Sequence, residues 1–151
     1  MKRAAVLLVL APLLLSAADP VAGTWLLNLA KSKYNPGPPP RSQTRTYTEE
    51  NGALKASVIT VYKNGNTDTV YYPANYDGKE HPVLGAPDRD GIVMKRIDEF
   101  TAESILTHAG STIGVARRTV SPDGRTLTIT YKGVSGGEPV NNTAVYEKKP
   151  D

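Results

Sequence analysis

The sequence predicts an all-β protein, an antiparallel up-and-down meander of about 8–10 strands that closes into a barrel. Short β-type runs follow one another at intervals of about ten residues from Gly23 onward, which is the spacing of a sandwich or a barrel. Hairpin-type turn signals separate the runs, and no helix-length stretch carries apolar residues at the 3.6-residue period. A meander of this length exposes two sheet edges unless it closes, so we expect a barrel, with an open β-sandwich as the alternative.

The amino terminus predicts a secretory signal peptide over residues 1–18. Basic residues in Met1 to Arg3 precede an apolar run from Ala4 to Leu15, and the small residues Ser16 to Ala18 follow. The apolar run is too short for a spanning helix, which needs about 20 residues, so we expect no permanent membrane anchor. Cleavage after Ala18 leaves residues 19–151 as one domain, and its expected location is periplasmic or secreted.

Composition limits the possible partners. The chain has 18 basic and 15 acidic residues, and removing Lys2 and Arg3 leaves 16 basic residues and a net charge of about +1. Those charges are scattered, so we expect no nucleic-acid partner. The chain has no cysteine, which excludes thiol nucleophiles and thiolate metal sites. No cofactor is expected, and a protein partner is left open.

Nine runs of strand-forming residues follow the amino-terminal segment. They span Gly23 to Lys31, Arg41 to Glu50, Ala53 to Lys63, Thr67 to Tyr76, Gly91 to Asp98, Ala102 to His108, Thr112 to Ser121, Arg125 to Gly133 and Asn141 to Lys149. Four connections pair glycine with an asparagine or aspartate, residues that tolerate a positive φ, and these are strong hairpin signals. They are Asn51-Gly52, Asn64-Gly65, Asp77-Gly78 and Asp123-Gly124.

Alternation along the runs predicts which side chains face the core. Trp25, Leu27 and Leu29 fall on one face of the first strand, and Leu127, Ile129 and Tyr131 share a face of a late strand. The fourth strand places Val70, Tyr72, Ala74 and Tyr76 together in the same way.

Two segments interrupt the meander. Proline lacks an amide donor, so the stretch from Tyr34 to Pro40 is expected to be an extended loop. The connection from Asp77 to Asp90 is long for a hairpin, and Lys79 to Val83 is a candidate for a short extra strand.

The start of the domain, Gly23-Thr24-Trp25-Leu26-Leu27-Asn28, resembles the Gly-x-Trp first-strand motif of lipocalins and the wider calycin group. The run from Thr143 to Lys148 looks like the closing strand of fatty-acid-binding proteins, and the chain is similar to bacterial exported lipocalin-like proteins. The resemblance implies a lipocalin-like barrel in which Trp25 closes the floor. It also implies a late-strand arginine packed over the indole, a structural cation–π contact. Arg118 is the candidate, with Arg117 and Arg125 as rivals.

Tyrosines and arginines supply the candidate ligand-binding residues. The chain has eight tyrosines and one phenylalanine, and a tyrosine ring with its hydroxyl suits a pocket with a wet mouth. Tyr72, Tyr76 and Tyr131 are the candidates, although tyrosine is also an ordinary strand residue.

The pairs Lys95-Arg96 and Arg117-Arg118 each place one charge inward on a regular strand. Arg96 and Arg117 are therefore candidates to hold a ligand, as inward arginines hold a carboxylate in the fatty-acid-binding proteins. A structural ion pair is the preferred alternative, because small barrels fill their own interiors.

No catalytic or metal constellation is expected. The Gly133 to Gly137 segment matches the Gly-x-Ser-x-Gly pattern but leads into another strand, so a hairpin loop explains it better than a hydrolase elbow. Two histidines, His81 and His108, are too few for a zinc site that usually takes three ligands. Asp88-Arg89-Asp90-Gly91 lacks the third oxygen ligand of a calcium loop.

The sequence supports two hypotheses about the function. The first is an exported lipocalin-like protein that binds a small, partly apolar ligand in the barrel interior. The second is a non-catalytic envelope interaction or inhibitor module that uses the loops Tyr34–Pro40 and Asp77–Asp90 on a rigid scaffold. An enzyme is not expected.

Overall fold

The computed structural model describes residue 12 and residues 17–151, so the predicted signal peptide falls mostly outside the described residues. The described chain forms eleven strands in one antiparallel sheet that nearly closes into a barrel, which confirms the all-β prediction. The strands are β1 Gly23–Leu27, β2 Lys33–Asn35, β3 Ser42–Glu50, β4 Ala53–Val61, β5 Thr67–Pro73, β6 Glu80–Pro82, β7 Gly91–Arg96, β8 Thr101–His108, β9 Ser111–Val120, β10 Thr126–Ser135 and β11 Glu138–Lys148.

The first and last strands close the meander. The strand order is β5-β4-β3-β1-β11-β10-β9-β8-β7-β6, so β1 lies between β3 and β11. In β1, Trp25 faces Arg45 on β3 and Lys148 on β11. Where β1 stops, β2 takes its place beside β11, with Tyr34 opposite Asn142.

One seam of the barrel, between β5 and β6, is not sealed. Among the described residues a single bridge spans it, in which Tyr71 and Leu84 each donate their amide to the other's carbonyl at 2.9 Å. In this register the next hydrogen-bonding pair would be Pro73 and Pro82, and neither has an amide hydrogen to donate. On the other side of the bridge, a Cβ at Gly85 would lie 2.2 Å from the Thr69 carbonyl oxygen. The ladder thus stops at two prolines on one side of the bridge, and on the other side the close approach of the Thr69 carbonyl leaves no room for a Cβ at Gly85.

Two local departures from the predicted elements have identifiable causes. The first strand ends at Leu27 because the Asn28 side chain accepts the Lys31 amide at 3.2 Å and caps a short 3₁₀ helix, Leu29–Lys31. Leu29 therefore leaves the core face on which alternation placed it and is exposed. The loop predicted from Tyr34 begins later, since Lys33–Asn35 precede the prolines and still pair with β11. The extra strand predicted between Lys79 and Val83 is confirmed as β6.

One end of the barrel, which we call the floor, holds Val21, Trp25 and the β3–β4 hairpin. The opposite end, with the β4–β5 and β10–β11 hairpins, is the mouth. Trp25 is completely buried, and its Nε1–H donates to the Val21 carbonyl at 2.8 Å. Leu127, Val58 and Tyr146 are the other large side chains that are fully buried besides Val21, and Leu127 agrees with the predicted alternation in β10.

The Gly-x-Trp segment is structural, but its cationic partner differs from the expectation. Gly23 has φ +126°, a conformation that favours glycine, and a Cβ there would lie 2.8 Å from Lys148 Cε. Lys148 is the cation over the indole, with its Nζ 5.5 Å from the ring centroid. Arg118 instead lies over the rings of Tyr47 and Tyr76, because β11 and β10 separate β9 from β1 in the sheet.

Candidate functional site

A cavity of about 230 Å³ lies inside the barrel and extends toward the mouth. Its two sides differ in chemistry. The polar wall comes from β3, β5 and β11 and consists of Gln43, Arg45, Tyr47, Tyr72, Asn142 and Tyr146. The mostly apolar wall comes from β7 to β10 and holds Ile92, Met94, Leu106, Ala116 and Ile129, together with Ser104 and Tyr131. Arg118 enters from β9, within the apolar wall, and faces the polar wall across the cavity.

Two arginines meet at the inner end of this cavity. Arg45 donates from Nε to the Tyr146 hydroxyl at 3.0 Å and from Nη1 to the Tyr72 hydroxyl at 3.4 Å. Arg118 is only 6% exposed, and its guanidinium lies 5.1 Å from the Tyr47 ring centroid. Its Nη2 donates to the Tyr76 hydroxyl. Phenols therefore take the positions that carboxylates usually occupy around buried arginines.

Neither arginine forms an ion pair within the described part of the chain. The salt bridges there involve other cations, and all of them lie at the surface or at the rims. In addition, Arg118 Nη1 is buried and has no hydrogen-bond partner among residues 17–151. The sequence predicted a structural ion pair for the inward charge of each basic pair. This prediction is wrong for Arg118 and is confirmed for Arg96, which pairs with Asp19 at 3.2 Å. Arg118 is buried and Arg45 is half-buried. The Asp19 carboxylate reaches Arg118 only through the Tyr76 hydroxyl that both contact. A buried charge without a direct ion pair is costly, so this arrangement favours the binding of an anion.

The positive charge of the two arginines acts on the pKa of Tyr47. Burial alone would raise the pKa of Tyr47, but the charges of Arg45 and Arg118 lower it below its usual value. Burial, with Tyr47 close by, raises the pKa of Tyr72. Burial alone would lower the pKa of Arg118, but the neighbouring Tyr47 and Tyr76 raise it, so this arginine stays protonated. The cavity therefore keeps its positive charge at neutral pH.

The predicted ligand-binding residues divide into three groups. Tyr72 and Tyr131 line the cavity. Tyr76 lies at the floor, where it donates to Asp19 Oδ2 at 2.6 Å, and burial raises its pKa to about 12 despite the nearby Arg118. Arg96 and Arg117 do not line the cavity.

Each of these two arginines has a clear place outside the cavity. Arg96 continues the inward face of Met94 but lies beyond the floor, where its Nη1 pairs with Asp19 Oδ2 at 3.2 Å. Arg117 is exposed on the outer surface, because its neighbour Arg118 takes the inward position on β9. Only one of the adjacent arginines can point inward on a regular strand.

The sequence reasoning missed Arg45, Tyr47 and Tyr146. Alternation could have found the first two, because Gln43, Arg45 and Tyr47 share one face of β3 and the structure buries Tyr47 there. Tyr146 shares the inward face of β11 with Ala144. Its hydroxyl donates to Gln43 Oε1, which links β11 to β3 across the interior.

The mouth is fastened by side chains of β10 and of the β6–β7 connection. Ser135 Oγ on β10 donates to Asp88 Oδ2 at 2.8 Å, and Arg89 Nη1 lies 3.1 Å from Asp88 Oδ1. These contacts hold the β6–β7 connection against the β10–β11 hairpin. Tyr131 covers the space beside Gly114, where a Cβ would meet the tyrosine ring at 2.6 Å. Ser135, the serine of the Gly-x-Ser-x-Gly pattern, is thus the end of a strand that turns into another strand.

Other classes of site find no support in the described residues. No group of three or more histidines, aspartates or glutamates there is placed to hold a metal ion. His81 pairs with Asp77 at 2.7 Å, and His108 lies 4.0 Å from Asp90, both at the surface. Among the same residues, no helix has the length and apolar character needed to cross a membrane.

The geometry defines a nearly closed antiparallel barrel of a kind consistent with a calycin-like fold. No protein-family model matches the chain. No curated protein matches it either.

Proposed function

We propose that this is an exported lipocalin-like protein that binds a small, partly apolar molecule carrying an anionic group inside the barrel. The observation that carries the proposal is the pair Arg45 and Arg118, which face one cavity with no carboxylate partner in the described chain. The amino-terminal pattern and the Gly23-Thr24-Trp25 motif favour the exported, lipocalin-like class.

An anion would accept hydrogen bonds from interior donors that have no acceptor among the described residues. Arg118 Nη1 lacks a partner, and a guanidinium presents its donors in a fork that matches a carboxylate. Hydrogen bonds between charged groups are shorter and roughly twice as strong as neutral ones, and a dry interior strengthens them further. The charged group of the ligand is therefore expected at the inner end, between Arg118 and Arg45.

The apolar wall would hold the remainder of the ligand. Met94 and Ile92 are buried on the cavity side of β7, opposite the phenols. Each Å² of apolar ligand surface covered there contributes about 25 cal/mol. The expected ligand thus has an anionic end and an apolar body, arranged so that one end lies deep and the other lies toward the mouth.

The cavity volume limits the size of the ligand. A volume of about 230 Å³ corresponds to roughly eight waters at ~30 Å³ each, below the ~300–1,000 Å³ of many ligand pockets. We therefore expect an aromatic or short-chain carboxylic acid rather than a long-chain lipid.

Calorimetric titration with matched probes tests the proposal. Octanoate and benzoate are compared with octanol and benzyl alcohol, which have similar apolar bodies but no charge. The acids should bind at least about tenfold more tightly, because the alcohols leave the arginines without an anion. Equal binding of acids and alcohols, or no binding of any probe together with no bound species in native mass spectrometry of the exported protein, would contradict the proposal.

Adjacent arginines on β9 provide a matched pair of variants for the same titration. Arg118→Gln removes the inward charge, and Arg117→Gln removes an outward charge one residue away. The first should abolish the preference for acids, and the second should leave it intact. If both variants bind the acids like the unmodified protein, the interior arginine does not hold the ligand.

The alternative, an envelope interaction module using Tyr34–Pro40 and Asp77–Asp90, is less well supported by the geometry. Part of each segment is a strand of the barrel, namely Lys33–Asn35 and Glu80–Pro82. The second segment is also fastened at Asp88, which leaves less free loop than the sequence suggested.

A further inference from the structure

The segment that precedes β1 becomes fixed to the barrel at Asp19. Its backbone nitrogen donates to Glu49 Oε1 at 3.0 Å, and its carbonyl accepts the Ala22 amide at 2.9 Å. Its carboxylate accepts from the Val21 amide at 3.0 Å, the Tyr76 hydroxyl at 2.6 Å and Arg96 Nη1 at 3.2 Å.

Ala17 and Ala18, immediately before Asp19, are exposed. The boundary between exposed chain and fixed chain is thus the Ala18–Asp19 peptide bond, which is the bond that the sequence pattern predicts to be cleaved.

We propose that cleavage after Ala18 makes Asp19 the mature amino terminus, and that its new ammonium group docks on Glu49 and completes the floor of the barrel. Before cleavage the nitrogen is an amide with one hydrogen and no charge. After cleavage it is a positively charged group with three donors at the same place. Glu49 is suited to receive it, because this carboxylate has no lysine, arginine or histidine partner among residues 17–151.

The docked terminus also organises the inner end of the cavity. Asp19 orients Tyr76 through its carboxylate, and Tyr76 accepts the hydrogen bond from Arg118 Nη2. The residues after Asp19 also close the floor of the barrel, because Val21 is completely buried and its carbonyl accepts a hydrogen bond from the Trp25 indole N–H. This role rests on the floor contacts alone and does not depend on the identity, or the existence, of an interior ligand.

The proposal predicts a specific pH dependence of stability. The charged groups around the new ammonium are Glu49 from β3, Asp77 after β5, Arg96 and Glu99 at the β7–β8 connection, and the carboxylate of Asp19 itself. An adjacent carboxylate favours the charged amine and raises its folded-state pKa. The stabilisation is therefore complete below the unfolded α-amino pKa of about 7.7–8.0 and is lost as the pH rises through the folded value.

The experiment uses the full chain, expressed with its own amino-terminal segment and recovered as the exported product. Intact mass and amino-terminal sequencing should show a protein that begins at Asp19. Its melting temperature is then compared with that of Glu49→Gln between about pH 6 and pH 9.5, on either side of the α-amino pKa. Between these two pH values the melting temperature of the unmodified protein should fall by roughly 1–4 °C more than that of Glu49→Gln. This is the size expected of an exposed ion pair in a domain of this length.

Two further measurements keep the test decisive. Glu49→Asp keeps the charge and should retain part of the pH dependence, whereas Glu103→Gln removes a carboxylate from β8 and should leave it unchanged. Nuclear magnetic resonance titration of the α-amino group should give a higher pKa in the unmodified protein than in Glu49→Gln. A product that begins at another residue, or an α-amino pKa that Glu49→Gln does not lower, would overturn the proposal.

Discussion

The two walls of the barrel interior are built from the same kind of antiparallel strand, yet they carry opposite chemistry. On the apolar wall the inward positions hold residues such as Met94 and Ile129, which a core needs for packing. On the polar wall they hold Arg45 and a group of tyrosines, and Arg118 faces that wall from across the cavity. Unpaired inward charges break the ordinary rule for a stable core, and such departures concentrate where a protein has a function. Stability should therefore depend on one wall and binding on the other.

Removing a side chain from the apolar wall should have the largest effect on stability. Met94 is 3% exposed and borders the cavity, so Met94→Ala enlarges a space that the surrounding strands cannot fill. We expect a loss of about 2–5 kcal/mol in the free energy of unfolding, measured by chemical denaturation. Carboxylate probes should still bind to the folded fraction with a reduced apolar contribution. A loss below about 1 kcal/mol would show that the wall relaxes onto the cavity and is not tightly packed.

Arg118→Met should have the opposite effect on stability. Methionine keeps much of the volume and removes a buried charge that has no ion pair, so the variant is expected to be more stable by about 1–3 kcal/mol without ligand. The same variant should lose the preference for acids over alcohols in calorimetric titration.

Arg117→Met is the control for this change. It alters the exposed neighbour on the same strand and should shift stability by no more than about 0.5 kcal/mol. If Arg118→Met destabilises the protein instead, then the phenols around the guanidinium compensate its charge fully, and the contrast between the walls fails.

The sequence predicted individual inward residues on both walls, Ile129 on one and Tyr72 on the other, but not which side chains pair inside the barrel. Alternation identified Leu127 and Ile129 as inward residues, and glycine-containing turns predicted the meander, because both signals depend on near neighbours. Ion pairing depends on closure of the barrel. Asp19 and Arg96, for example, are 77 positions apart and meet only when the floor forms.

The inward arginines illustrate the same limit. The sequence offered 15 acidic residues as possible partners for them, and the structure places none in a salt bridge with Arg45 or Arg118 within its described part. The strand pairing that brings Arg45 opposite Trp25 was not predictable from either residue alone.

Alkaline pH should weaken binding through Tyr47. The charges of Arg45 and Arg118 lower its pKa, so Tyr47 ionises earlier than an ordinary tyrosine and its phenolate then occupies the positive site. A bound anion disfavours that phenolate, so binding takes up a proton and affinity falls as the pH rises through the Tyr47 pKa. The decrease approaches a factor of about ten per pH unit for one linked proton.

Tyr47→Phe separates this effect from a general loss of structure. The variant should bind carboxylate probes with little alkaline dependence, and ultraviolet difference absorbance should show one fewer early-ionising phenol. An unchanged pH profile in Tyr47→Phe would remove Tyr47 as the titrating group.

The smallest expected effect concerns the mouth, where the β6–β7 connection contacts the β10–β11 hairpin. Ser135→Ala removes the 2.8 Å hydrogen bond to Asp88 on an exposed part of the hairpin, so global stability should fall by only about 0.5–1 kcal/mol. Amide hydrogen exchange should nevertheless accelerate in residues 84–90, because this connection has only the Tyr71–Leu84 bridge to hold it at the unsealed seam. Probe dissociation should become faster while the acid preference stays the same, because Arg45 and Arg118 are untouched.

Val134→Ala, at the neighbouring exposed position, serves as the control and should change neither exchange nor dissociation. If Ser135→Ala alters the acid preference as well, the mouth and the polar wall are not independent, and the division of the interior into a packing wall and a binding wall is too simple.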